Sequence, residues 1–157
     1  MPAISGPSDY LERAVLDMLF PPPTGGTSYT VPTTAYIALY LNGTVNEDGT
    51  LPSGVSEVSS SGTGYTRLAI TMTGSNSVWS AAQTDTSGET TKSNNQDLSF
   101  QEATASWGTI VGWAIWRTQT GGSSTDLLFG GTLRNPVTIN ANDTFRFRQG
   151  SLVISAR

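Results

Sequence analysis

The chain has 157 residues, the size of one compact domain, and a formal net charge of −4; its 13% of charged side chains is about half the roughly 25% usual in soluble domains. It contains no His and no Cys, which excludes Ser-His-Asp and Cys-His nucleophile systems, Cys/His zinc sites, haem or iron–sulfur ligation and any disulfide framework. With 8 Lys plus Arg against 12 Asp plus Glu there is no broad positive surface for a phosphate backbone, so nucleic acid is not an expected partner.

Membranes are set aside too, because no apolar stretch approaches the roughly 20 residues that span a bilayer. Acidic residues early in the chain do not suit a signal peptide, so synthesis in the cytoplasm without processing is expected.

Met1 to Pro7 carries Pro2, Gly6 and Pro7, which disfavour both helix and central strand and predict an extended arm. A helix follows. Asp9 is placed to cap it, with Glu12 three residues on, and Leu11, Ala14, Val15, Met18 and Leu19 recur at the spacing of one buried face. Pro21, Pro22 and Pro23 end it.

Beyond Thr24 the period changes from helix to strand. Ala35 to Leu41, bounded by Pro32 and Asn42-Gly43, reads as a buried strand and turn, and Asn46 to Gly64 as a long surface loop. Tyr65 to Thr73 alternates, with Leu68, Ile70 and Met72 on its dry side. Val78 to Ala82 extends the sheet, while Gln83 to Gln96, polar and Thr-rich, predicts an exposed excursion.

Leu98 and Phe100 mark a short strand. Thr109 to Thr118 is apolar on both faces, with Ile110, Gly112, Ala114 and Trp116 opposed to Val111, Trp113 and Ile115, which predicts a central strand between covering layers. Asp126 to Leu133, Pro136 to Asn140, Thr144 to Arg148 and Ser151 to Ala156 complete about eight short strands separated by turn residues, a spacing typical of all-β sandwiches. The expected fold is therefore mainly β: an antiparallel β-sandwich or jelly roll over 24–157, preceded by the arm and amphipathic helix over 1–23.

Chemistry finds little footing. Glycoside hydrolysis needs two converging carboxylates, but Glu47, Asp48, Glu57, Asp85, Glu89, Asp97, Glu102, Asp126 and Asp143 are scattered, as solvated loop acids are. Asn46-Glu47-Asp48-Gly49 resembles a calcium loop, but Thr44 and Val55 stand where its first and last ligands belong. No glycine pair has phosphate-cradling spacing. No catalytic residue, metal site or cofactor is expected.

Among the 4 Trp, Trp113 and Trp116 point to opposite faces of one strand, so they form core or subunit contacts rather than one platform. Trp79 and Trp107, near strand ends, are candidates for stacking on a sugar. Arg146 and Arg148 share one face opposite Phe145 and Phe147, as an exposed sheet face or subunit contact would.

Ordering an extended arm costs about 1–2 kcal/mol per residue in backbone entropy, so something should bind it. The candidate partner-binding residues are Pro2, Ala3, Ile4 and Pro7 in the arm, Tyr10 and Leu11 on the helix, and Trp113, Ile115 and Arg146 in core or trimer contacts.

In order along the chain, Tyr10-Leu11-Glu12, Tyr36-Ile37-Ala38-Leu39-Tyr40, Gly64-Tyr65-Thr66-Arg67, Asp97-Leu98-Ser99-Phe100, Ala103-Thr104-Ala105-Ser106-Trp107-Gly108-Thr109, Leu127-Leu128-Phe129-Gly130-Gly131, Asp143-Thr144-Phe145-Arg146-Phe147 and Gly150-Ser151-Leu152 resemble a family of small tail-fibre-like virion proteins of tailed bacteriophages. These motifs are strand and turn residues, and the family supplies no catalytic residue. The resemblance implies a non-enzymatic virion protein, made in the host cytoplasm and carried on the capsid surface or the tail.

The first expectation is a homotrimeric decoration, or cement, protein bound to the major capsid protein, because a fibre shaft would need extended repeats. The alternatives are a tail or tail-fibre component that meets tail proteins and a host-surface glycan, and a small glycosidase.

Overall fold

A computed structural model describes residues 3, 5–26 and 28–156. Among the described residues, eleven strands and one helix follow in the order β1 (Gly6–Pro7), α1 (Asp9–Leu19), β2 (Thr34–Leu41), β3 (Ser56–Glu57), β4 (Leu68–Thr71), β5 (Gln83–Thr84), β6 (Thr90–Ser93), β7 (Leu98–Ser99), β8 (Gly108–Trp116), β9 (Leu127–Ile139), β10 (Arg146–Phe147) and β11 (Val153–Ala156). All pairings are antiparallel, as expected of a chain without crossover helices.

The main sheet runs β1-β9-β8-β2-β3, with β4 also paired to β2. Period-two alternation gives β2 and β8 two dry faces. Ala35, Ile37 and Leu39 on β2 join Trp113 and Ile115 on β8 in the larger core, while Ala38, Tyr40, Ala114 and Trp116 face a smaller cluster with Val45 and Leu127. The larger core is closed by the small sheets β10-β7, through Leu98 and Phe147, and β11-β6-β5, through Ile154 and the preceding Leu152. This is the mainly β, antiparallel layered architecture expected from the strand spacing.

One alternation breaks. Tyr40 pairs with Gly112 and the next residue, Leu41, with Ile110, so Val111 is the extra residue of a β-bulge. Past the bulge the faces exchange, and Ile110 enters the larger core beside Trp113 and Ile115 rather than opposing them. On the other side of β8, Gly112 pairs with Thr132 but Ile110 with Val137, which leaves Leu133 to Pro136 as an irregular stretch within β9. The two strands expected over 126–140 are therefore one. Among the described residues, the outer edge of β9 is paired to β1 at Gly130 and Phe129.

The Thr-rich segment 83–96 is largely exposed, as expected, but it is paired into strands rather than standing apart from the sheets. β5 and β6 form a hairpin, and β6 pairs along its whole length with β11 near the C-terminus. Asn94 fixes this arrangement: it is 1% exposed, its amide donates to the carbonyls of Gln96 (2.7 Å) and Arg148 (2.8 Å), and its Oδ1 accepts from the Leu152 N–H (2.9 Å). Val78 to Ala82 forms no strand, only a single bridge between Trp79 and Asn94, and the loop expected over 46–64 contains β3.

Candidate interaction surface

α1 is capped by Ser8 rather than Asp9. The Ser8 Oγ accepts from the Leu11 N–H and donates to the Leu127 carbonyl (2.6 Å), while the Ser8 N–H bonds the Leu128 carbonyl (2.9 Å). One buried hydroxyl thus starts the helix and rivets it to β9, leaving Asp9 and Glu12 in the first turn, where the helix dipole favours acids.

Tyr10, Leu11 and Ala14 are buried below this rivet. The expected buried face stops there: Val15 is 39% exposed, Met18 64% and Leu19 61%, joined by Leu16 at 58% and Phe20 at 76%. The second half of the helix therefore presents apolar side chains to solvent, and Phe20 closes the last turn through its N–H to the Leu16 carbonyl before the prolines begin. Contiguous exposed apolar surface of this kind is a usual mark of an interaction site. Leu16 and Phe20 lie off the face that periodicity picks out, and together they widen the apolar arc of the helix end.

The other expected partner residues are dispersed. Pro2 and Ile4 lie outside the described residues. Ala3 is exposed and bridges Asn46, and Pro7 pairs with Phe129. For Gly6 and Pro7, the partner that offsets the ordering cost is this chain's own sheet. Tyr10 turns inward, its hydroxyl donating to the Ser28 carbonyl (3.2 Å) and accepting from Arg117 (3.4 Å). Leu11 and Ile115 are core residues, and Trp113 is buried against the edge-on ring of Phe147. Arg146 is exposed and pairs with Asp97 at 3.3 Å. Trp107 is also buried, its indole N–H donating to the Thr63 carbonyl (2.9 Å), so it cannot stack on a sugar.

A second feature lies at the β3 edge, where Tyr65 and Arg67 meet Glu57 from a separate segment. Arg67 grips Glu57 with parallel bonds from Nε to Oε1 and from Nη2 to Oε2, both 2.8 Å, and its Nη1 donates to the Thr118 carbonyl. Its guanidinium also sits 5.0 Å from the centroid of the Trp116 ring. Burial opposes the Arg67 charge, but the hydrogen bonds and charge of Glu57 outweigh it and hold the pKa above its ordinary value.

The Tyr65 hydroxyl donates to Glu57 Oε1 (3.0 Å) and accepts from the Leu39 N–H (3.0 Å). Burial first, and the Glu57 charge second, push the Tyr65 phenol well above its ordinary pKa; the same two causes raise Tyr40. Over this network opens a cavity of about 360 Å³, with Val58, Ser60, Thr66 and Gln119 among its walls. A carboxylate already bound to a guanidinium and a phenol is poorly placed to act as a general base.

Among the described residues no three His, Cys, Asp or Glu side chains gather to hold a metal ion, and no helix is long and apolar enough to cross a membrane. No curated protein matches the chain. Residues 6–155 match the Gp80 family, described as podophage GP4 fiber I protein gp80. That match runs from β1 into β11 and takes in both the helix and the sheets, so the chain belongs to the Gp80 family of podophage fibre proteins and is a fibre-like structural protein of the tailed-phage virion.

Proposed function

We propose that the protein is a tail or tail-fibre component that works through contact rather than catalysis, with the exposed end of α1 as its docking surface on a neighbouring virion protein. The observation that carries this reading is the run of Leu16, Met18, Leu19 and Phe20, each more than half exposed on a helix whose first half is riveted to the sheet. Fully covering one such side chain is worth roughly 1.5–3 kcal/mol, so a few together suffice to hold a repeated contact in an assembly. Membership of a fibre family supports tail over head placement.

A capsid-surface cement role is the second reading. It is favoured by the way β6 returns to pair with β11, which closes the chain into a compact body rather than an extended shaft.

The test is the double variant Leu16→Glu, Leu19→Glu. Both positions are exposed, so stability should stay within about 0.5 kcal/mol of the parent, while incorporation into virions is lost. Normal incorporation of a folded double variant would overturn the docking surface. Antibody labelling of intact particles at the head instead of the tail would replace the first reading by the second.

A further inference from the structure

The cavity beside β3 has a committed floor and an uncommitted rim, and this contrast specifies a ligand. On the floor, the Arg67 side chain is 4% exposed and the Glu57 side chain 26% exposed, so the cavity sees the carboxylate while its counter-charge stays covered. Glu57 Oε1 already accepts from Tyr65 and Arg67, but Oε2 accepts from Arg67 alone among the described groups. A carboxylate oxygen has room for a further donor.

Around the rim, the side chains of Ser60, Thr66, Gln119 and Thr120 are exposed and make no hydrogen bond to another described residue. They offer hydroxyl and amide groups that both donate and accept.

The geometry points to a binding site for one ring of a neutral saccharide. An anion would meet the Glu57 carboxylate with the neutralising guanidinium hidden behind it, and a cation would compete with a bidentate arginine already in place. A neutral polyol matches both layers, with one hydroxyl donating to Glu57 Oε2 and the others exchanging hydrogen bonds with the rim. The volume of about 360 Å³ lies at the low end of the ~300–1,000 Å³ typical of ligand pockets, which suits a single ring. The lining comes from the Glu57 to Arg67 region and the turn after β8, not from α1, so sugar binding and virion docking are separable and fail independently.

The experiment is saturation-transfer NMR and titration of the full chain with D-glucose, D-galactose, D-mannose and N-acetyl-D-glucosamine, with D-glucuronate as the charged control. At least one neutral sugar is expected to bind, more tightly than glucuronate. Ser60→Trp, which fills the cavity from its rim, should abolish the signal, and Gln119→Ala should weaken affinity about threefold or more with an unchanged melting temperature. Absence of binding by all four neutral sugars, tighter binding of glucuronate, or undiminished binding to folded Ser60→Trp would each overturn the site. Should Ser60→Trp fail to fold, the exposed changes Gln119→Ala and Thr66→Ala decide: unaltered affinity in both overturns it.

Discussion

The indole N–H of Trp116 donates to the Tyr40 hydroxyl at 2.9 Å, joining two side chains on the same buried face of neighbouring strands. Tyr40 is 1% and Trp116 3% exposed, so water cannot substitute for the hydroxyl. Tyr40→Phe keeps the ring and strands the indole donor. The expected loss is about 1–3 kcal/mol, the usual cost of an unsatisfied buried group, read from urea unfolding. A loss below about 0.5 kcal/mol would mean that the bond contributes nothing net.

Gly112 is required by space rather than by backbone conformation. A Cβ built there would collide with the Gly43 carbonyl oxygen, stand 2.7 Å from Thr44 Cβ and 2.9 Å from the Gly43 carbonyl carbon. Backbone on that side cannot swing away as a flexible side chain would. Gly112→Ala should therefore cost more than about 2 kcal/mol, at or beyond the upper part of the range for overpacked cores. The check is thermal or urea unfolding; a melting temperature equal to the parent's would refute the close approach of β8 to the segment after β2.

Alkaline pH should unfold the protein through its tyrosines. Tyr40 and Tyr65 have phenols raised above the ordinary value of 10.0, chiefly by burial, and Tyr29 is raised for the same first reason. Above pH 10 the unfolded chain has lost these protons while the folded chain keeps them. The unfolded state then binds fewer protons, and stability falls as pH rises. The stabilisation is complete below about pH 10 and declines above it. Tyrosinate absorbance in an alkaline titration should show these groups ionising together with loss of the near-ultraviolet circular dichroism; their ionisation with the tertiary signal intact would contradict their burial.

The parts of this fold that local pattern could announce were legible in the sequence. Strands β2 and β8 carry apolar side chains on both faces, and the helix carries its period and its proline stop. What escaped depended on distant partners. The polar Thr90 to Ser93 segment becomes a strand because it meets Val153 to Ala156, about sixty residues away. Val111 reverses the alternation of β8 only because the paired strands do not match it residue for residue. Glu57 reads as a loop acid and Arg67 as a charge on the wet face of the Tyr65 to Thr73 strand; only the fold pairs them, with the guanidinium over Trp116. The helix misled differently: periodicity showed which side is apolar, not how far the sheet extends beneath it.

The open side of β9 bears on what a polymer of this protein can be. Past Gly130, the strand carries the irregular stretch Leu133 to Pro136, with a charge at Arg134 and a missing donor at Pro136. Such features work against two copies zipping together along that border into a continuous hydrogen-bonded ribbon. Contacts between copies at this border would then fall to side chains rather than to shared sheet hydrogen bonds.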